Sequence, residues 1–158
     1  MQNGELPESL NPSVFWLLIG TNNLEMDCSA EVVVMGIIRN VEEILSRKPS
    51  STVVLNQIFP RSKPYNMEGY VYVLPENAEY QPILQIYIDQ INTALEAYAR
   101  EREGVQYFST DAFWADDSTS AENMQLDLGL IPDAVHLYAT GYEVWAQEIV
   151  AKLDSILG

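Results

Sequence analysis

The stretch VFWLLIGTNN, residues 14–23, decides the fold that the sequence predicts. Its first seven residues form a continuous apolar run ending in glycine, which is typical of a strand buried in a parallel sheet. Polar residues follow at once, namely Thr21, Asn22 and Asn23, so a turn is expected where the strand ends. Since ligand sites of parallel α/β sheets lie beyond the carboxyl ends of the strands, this turn is a candidate site.

Strand-like and helix-like segments alternate after this stretch. Residues 30–47 have the apolar spacing of a helix, and Pro49 follows where that helix should stop. The apolar residues that recur at helical spacing are Val34, Ile37, Val41 and Leu45. Strands are predicted at residues 52–59 and 105–109, where β-branched and aromatic residues concentrate.

Two further helices complete the alternation. One is expected to begin at Pro82 and to end at Gly104, after a long loop over residues 60–81. Its predicted apolar stripe consists of Leu84, Ile88, Ile91, Leu95 and Tyr98. The other should begin near Thr140, because Thr140 and Glu143 have the spacing of a capping box. Its predicted buried face consists of Trp145, Ile149 and Leu153.

The alternation predicts an α/β fold, a three-layer doubly wound parallel sheet in one domain over residues 1–158. The formal net charge of −15 disfavours binding to nucleic acid and to anionic membranes. The sequence predicts no membrane span and no metal site, and its single cysteine, Cys28, excludes an internal disulfide. A cytoplasmic location is favoured, because the N-terminus lacks the pattern of a secretory signal.

The candidate chemistry centres on His136, the only histidine, and on Asp133 three positions before it in IPDAVHLYATGYEVW, residues 131–145. An imidazole takes up a proton near neutral pH, and an aspartate at this spacing can fix its tautomer. Asn22 can hold a developing oxyanion from the end of the first strand. The simpler alternatives stay open: surface positions for Asp133 and His136, and an Asx turn for Asn22.

Two motifs in this order resemble the SGNH, or GDSL-type, hydrolase family. LLIGTNN resembles the block in which G-T-N-D or G-T-N-N follows a central strand, and PDAVHLYATGYEVWAQEI resembles the block with D-x-x-H. The resemblance implies a flavodoxin-like fold and a serine ester hydrolase for small acyl esters, such as acetyl esters, that needs no cofactor. It further implies that Asn22 donates to the oxyanion, His136 is the general base, Asp133 orients His136, and Gly20 shapes the turn.

The nucleophile of that family, the serine of a G-D-S block, does not occur in this sequence. The block follows the family's first strand, and a second block supplies a glycine N–H group. The resemblance therefore implies an N-terminally truncated member that lacks the first βαβ portion, with residues 14–20 at an open sheet edge. None of the serines in the sequence stands at a sharp strand-to-helix turn that could replace this nucleophile. The serines considered are Ser9, Ser13, Ser29 and Ser118. The chain alone is expected to be inactive.

Three functions are compatible with these observations. The first is an ester hydrolase whose partner is a small acyl-ester substrate, with a homodimer left open. The second is a noncatalytic relative, an interaction or scaffold protein that has lost its active site. The third is a flavodoxin-like binding module that matches both motifs by chance. The joint occurrence of Asn22, Asp133 and His136 favours the first.

Overall fold

A computed structural model describes residues 6–61, 82–113, 127, 129–132 and 135–158. The chain divides into two compact units. The first unit is Met1–Ile58 with Tyr87–Ser109, and the second is Phe59–Ile86 with Thr110–Gly158. Most of the long loop predicted at residues 60–81 lies outside the described residues, and the single domain stays a prediction.

The first unit is built on a parallel sheet. Its strands are β1 at Val14–Leu17, β2 at Thr52–Asn56 and β3 at Val105–Phe108, in the order β1-β2-β3. Val14 pairs with Thr52 and Val53 pairs with Val105, both in parallel register. The predicted α/β class with a parallel sheet is therefore confirmed. Each strand ends before its predicted boundary, because the last residues of each apolar run leave the ladder.

The first unit contains three helices among the residues that the structure describes. They are α1 at Thr21–Glu25, α2 at Ala30–Arg47 and α3 at Pro82–Glu101, of which the first five residues belong to the second unit. The Ser29 hydroxyl accepts a hydrogen bond from the Val32 N–H group and so caps α2. At the other end, α3 stops at Glu101, three residues before Gly104, whose φ of +81° lies in the turn that leads into β3. The sequence predicted α2 and the start of α3 correctly, whereas α1 was expected to be a turn.

The core of the first unit gathers apolar residues from β2, α2 and α3. The buried apolar residues that these elements contribute to the first unit are Val53, Val54 and Leu55; Ala30, Val33, Ile37, Val41, Ile44 and Leu45; and Ile88, Ile91, Leu95 and Ala99. Val34, one of the residues at helical spacing, is half-buried, whereas its neighbour Val33 is 4% exposed. Val33 and Ile37 are four residues apart, so they lie one above the other on the buried face.

Lys48, directly after α2, anchors the segment that leads into β1. Its side chain is buried, and Nζ donates to the main-chain oxygens of Pro7 at 2.9 Å and Glu8 at 3.1 Å. Nζ also donates to Asn11 Oδ1 at 3.4 Å. These three acceptors match the three N–H bonds of an ammonium group. The buried charge is therefore compensated by hydrogen bonds, and residues 7–11 are fixed beside the end of α2.

β1 forms one edge of the sheet. It pairs with β2 on one side, and all four of its residues are half-buried. Within the residues that the structure describes, no strand lies on its other side. A strand edge of this kind leaves main-chain N–H and C=O groups available to a further strand.

The second unit has a small aromatic core and one long helix, α4 at Ala139–Leu157. Phe113 and Ile131 are buried, and partly buried apolar residues pack against them: Phe59, Leu130, Leu137 and Trp145. The ring centre of Phe59 lies 4.5 Å from that of Phe113 and 5.5 Å from that of Trp145. Trp145, Ile149 and Leu153, the predicted buried face of α4, are half-buried.

The start of α4 differs from the predicted capping box. The cap is Tyr138, which makes no side-chain capping bond, while its N–H group donates to the Leu130 carbonyl at 2.8 Å. Thr140 lies inside the helix and donates to the Gly129 carbonyl at 2.9 Å. The capping-box prediction was therefore wrong, because a turn some ten residues upstream provides hydrogen-bond partners at this end of the helix.

Candidate active site

Gly20 makes the turn between β1 and α1 in a conformation that favours glycine. Its φ is +105°, in the left-handed region that side chains rarely adopt. A Cβ atom added here would lie 2.8 Å from Val33 Cγ1, and the next nearest atoms are Ile37 Cδ1 at 3.1 Å and Ile58 Cδ1 at 3.3 Å. Backbone conformation and close packing thus both restrict this position to glycine.

Asn22 follows this turn as the second residue of α1, and it is exposed. The backbone around it is held by two hydrogen bonds, from Asn23 N–H to Gly20 O at 3.1 Å and from Met26 N–H to Asn22 O at 3.3 Å. A carboxamide held at the carboxyl end of a parallel strand can donate N–H bonds to an oxygen that gains negative charge. The segment that the sequence suggested as a turn is thus a short helix that presents this side chain to solvent.

His136 lies in the bend just before α4 and is exposed. The two residues that follow it are anchored: Leu137 packs against the Phe113 and Ile131 cluster, and Tyr138 N–H bonds to Leu130 O. An exposed imidazole on an anchored backbone can exchange protons with a bound molecule.

Asp133 lies outside the described residues, so its bond to His136 stays a prediction. Gly20 and Asn22 belong to the first unit and His136 to the second. The joint action of these residues likewise stays a prediction. Within the described ranges, no group of three or more His, Cys, Asp and Glu side chains is placed to bind an ion.

Sequence reasoning did not single out the last residue of β2 or the residue after it, although both are closely held. Asn56 is 2% exposed, and its Oδ1 accepts a hydrogen bond from Trp16 Nε1 at 2.9 Å. The Gln57 N–H group donates to the Phe108 carbonyl at 2.8 Å, which continues the contact with β3. A polar residue within the apolar run TVVLNQIF was the available signal for Asn56.

A surface cluster of charged and polar side chains in the first unit connects α2 to α3 and to Arg102 just after it. Glu42 Oε1 accepts from Tyr98 at 2.5 Å and from Arg102 Nε at 2.8 Å, and Oε2 accepts from Arg102 Nη2 at 3.0 Å. Hydrogen bonds from Arg102, and then from Tyr98, lower the pKa of Glu42 to about 2. Burial, and then the Glu42 carboxylate, raises the pKa of Tyr98 to about 12. The cluster stabilises the fold and presents no reactive group.

None of the helices that the structure describes is both long and apolar enough to cross a membrane.

The model of the GDSL-like lipase/acylhydrolase family matches residues 2–144. The chain therefore belongs to that family, and the predicted membership of the GDSL-type hydrolases is confirmed.

Two known proteins show how far the likeness extends. The platelet-activating factor acetylhydrolase IB subunit beta homolog of Drosophila melanogaster is 36% identical over 66 residues, which are 42% of this chain and 28% of that protein. A solved structure from Streptococcus pneumonia, whose name relates it to platelet activating factor, aligns with a TM-score of 0.66 at 19% identity. That alignment covers 89% of this chain and 59% of the other. It shows the shared fold.

Proposed function

We propose that this chain carries three of the catalytic groups of a GDSL-type ester hydrolase. Asn22 donates its side-chain N–H to the oxyanion, His136 is the general base, and Asp133 fixes the imidazole tautomer. The nucleophile is a serine of a G-D-S block that lies outside the 158-residue sequence. A glycine N–H group completes the oxyanion hole. This glycine belongs to the family's second sequence block, which also lies outside the sequence.

The reaction proceeds in two acyl-transfer steps. His136 takes the serine proton while the serine oxygen attacks the ester carbonyl, and the resulting oxyanion accepts the N–H of Asn22. When the intermediate collapses, the protonated imidazole gives its proton to the leaving alcohol, and an acyl-serine ester remains. Water then attacks this ester with His136 again as base, so the acid leaves and the serine regains its proton.

The observation that carries this proposal is the left-handed turn at Gly20. It joins the carboxyl end of β1 to α1 and leaves Asn22 exposed in the first turn of that helix. In a chain of the GDSL-like family, an exposed carboxamide after a parallel strand suits a donor to a developing oxyanion. The close packing around Gly20 supports the proposal further, because it fixes the backbone two residues before Asn22.

Small acyl esters, with acetyl as the acyl group, are the proposed substrates. The Drosophila relative is an acetylhydrolase homolog by name, and it shares 36% identity over 66 residues. The formal net charge of −15 agrees with a neutral or cationic substrate better than with a polyanion, because like charges repel. The chemistry of serine, histidine and a carboxamide requires no cofactor.

The test restores the serine and then removes each proposed group. The segment encoded upstream of Met1 is joined to the chain, and hydrolysis of p-nitrophenyl acetate is measured. In this joined enzyme, Asn22→Ala should lower kcat roughly 10²- to 10³-fold, as the loss of an oxyanion donor does. His136→Ala and Asp133→Asn should each cost roughly 10⁴-fold. Matched controls are Asn23→Ala, beside Asn22 in α1, and Asp111→Asn, an exposed aspartate.

Two outcomes would contradict the proposal. The first is turnover by the 158-residue chain alone, well above that of free imidazole and lost in His136→Ala, which would place the nucleophile inside this sequence. The second is an upstream segment without a G-D-S block, or a joined protein whose turnover is unchanged by all three substitutions. That result would favour the noncatalytic interaction protein.

A further inference from the structure

Asn92, in the middle of α3, binds the main chain of Ile58 with both ends of its carboxamide. The Ile58 N–H group donates to Asn92 Oδ1 at 2.8 Å, and Asn92 Nδ2 donates to the Ile58 carbonyl at 2.9 Å. Asn92 therefore satisfies a donor and an acceptor of one residue, as a neighbouring β-strand does in a ladder. Among the natural side chains only asparagine and glutamine carry an amide that can do this without charge.

Ile58 lies two residues beyond β2, and the strand pairing that the structure describes ends before it. Its main chain depends on Asn92, while Gln57 N–H, one residue earlier, bonds to Phe108 O. Its side chain is 1% exposed, so the segment is buried as well as hydrogen bonded. A polar main-chain group in such a place needs a partner, and Asn92 supplies it.

The Ile58 side chain reaches the turn before Asn22. Its Cδ1 would stand 3.3 Å from a Cβ atom at Gly20, which means that it closes one side of the left-handed turn. The other walls are Val33 Cγ1 and Ile37 Cδ1, both from α2. Two of the walls thus rest on a regular helix, whereas the third rests on a loop residue that Asn92 holds in place.

We propose that Asn92 is a positioning residue for Asn22: by holding Ile58, it fixes the Gly20 turn and with it the direction of the Asn22 side chain. This inference rests on the proposed function for its effect on turnover, while its structural part stands on the contacts alone. Asn92 itself touches no substrate. Ile91 and Leu95, its buried neighbours on α3, keep the helix in place when the amide is removed.

The first measurement follows the contacts by NMR in the 158-residue chain. Asn92→Leu keeps the side-chain size and removes both hydrogen bonds, so the Ile58 amide should exchange with solvent about tenfold faster or more. The amide signals of Gly20 and Asn22 should shift as well. Ile58→Val, which removes Cδ1 and leaves both main-chain bonds intact, should shift the Gly20 and Asn22 signals without speeding exchange at Ile58.

Asn40→Leu is the matched control. Asn40 is also a helical asparagine whose Nδ2 donates to a main-chain oxygen, that of Gly36 at 2.8 Å, but this bond stays within α2. Its loss should leave the Ile58 and Gly20 signals in place. If Asn92→Leu unfolds the chain, Asn92→Asp replaces it, since the carboxylate still accepts the Ile58 N–H bond and loses only the donor to the carbonyl.

The second measurement is a double-mutant cycle on kcat in the joined enzyme. Asn22→Ala should lower kcat roughly 10²-fold or more, and Asn92→Leu roughly tenfold with KM little changed. The double variant should be no slower than Asn22→Ala alone, because Asn92 acts through Asn22. Asn92→Asp should fall between Asn92→Leu and the unsubstituted enzyme.

The outcomes separate the two proposals. Shifted Ile58 signals with unchanged Gly20 and Asn22 signals would overturn the inference, as would effects on kcat that multiply in the double variant. If Asn22→Ala leaves kcat unchanged, the proposed function fails. The NMR signals of Gly20 and Asn22 then decide by themselves whether Asn92 positions this turn.

Discussion

The first unit holds Asn22 at the end of a strand, and the second unit holds His136 at the end of an irregular segment. Asn22 follows β1, whose neighbour β2 includes core residues at 0–1% exposure. His136 precedes α4, in which Gly141 is the one buried residue among those described. Around it, an aromatic cluster and a few turn hydrogen bonds replace the sheet.

The difference teaches that the two residues depend on different kinds of interaction. The position of Asn22 in the first unit depends on apolar side chains buried between a sheet and two helices. The effect of a small local change is therefore shared among many contacts. The position of His136 in the second unit depends on a few close contacts, above all that between Gly141 and the Leu130 main chain. The two units should therefore respond in different ways to matched substitutions.

The largest expected effect comes from emptying the core of the first unit. Ile91→Ala in α3 should lower the free energy of unfolding by about 2–5 kcal/mol, because Ile91 is fully buried and its loss leaves a cavity. Ile149→Ala in α4 removes the same atoms from a half-buried position and should cost about 1 kcal/mol. Urea unfolding of both variants gives the comparison. Equal losses would mean that the two units are packed alike.

A smaller effect, with opposite signs at two helical glycines, should follow from added methyl groups. At Gly141 a Cβ atom would lie 2.6 Å from the Leu130 carbonyl oxygen, so Gly141→Ala should cost about 1–3 kcal/mol by overpacking. At Gly36 nothing lies within 4 Å, and Gly36→Ala should add about 0.5–1 kcal/mol of stability to α2. Thermal unfolding measures both, and a stabilised Gly141→Ala variant would contradict the close approach.

The smallest effect concerns the surface carboxylate Glu42. Its folded pKa of about 2 lies below the ordinary value of 4.5, so its contribution is fully present above about pH 4.5 and is lost as pH falls towards 2. Glu42→Gln should therefore lower Tm at pH 7 by about 2 °C or less, since the ion pair is solvent-exposed. The difference from the unsubstituted chain should vanish near pH 2 and shrink in high salt.

Glu43→Gln is the control for this prediction. Glu43 pairs with Arg47 within α2, whereas Glu42 connects α2 to Arg102 beyond α3. The control should change Tm less than Glu42→Gln does. A Tm difference for Glu42→Gln that persists at pH 2 would show that packing, and not charge, is responsible.

The sequence predicted the regular part of the first unit well. The bounds of α2 and the start of α3 follow from apolar spacing and from prolines, which act locally. The parallel pairing of β1, β2 and β3 follows from the alternation of strands and helices. Gly20 stood out because a glycine ends an apolar run, although its φ of +105° became visible only in the structure.

What the sequence did not predict depends on contacts between distant residues. α1 is five residues long, too short for a periodic pattern. The start of α4 is fixed by Leu130 and Gly129, and no spacing rule connects these residues to Thr140. Asn92 looks like any polar residue on a helix, because its partner Ile58 is 34 positions away.

The tryptophans of the chain offer an optical consequence of this arrangement. Trp16 in the first unit donates its indole N–H to buried Asn56, and Trp145 in the second unit packs on Phe59. Trp114, which lies outside the described residues, is first replaced by phenylalanine. Replacing Trp145 as well leaves Trp16 as the single tryptophan, and replacing Trp16 instead leaves Trp145. Fluorescence during unfolding then follows the surroundings of Asn22 and of His136 separately. Overlapping curves would reveal one cooperative transition, and separated curves would reveal two.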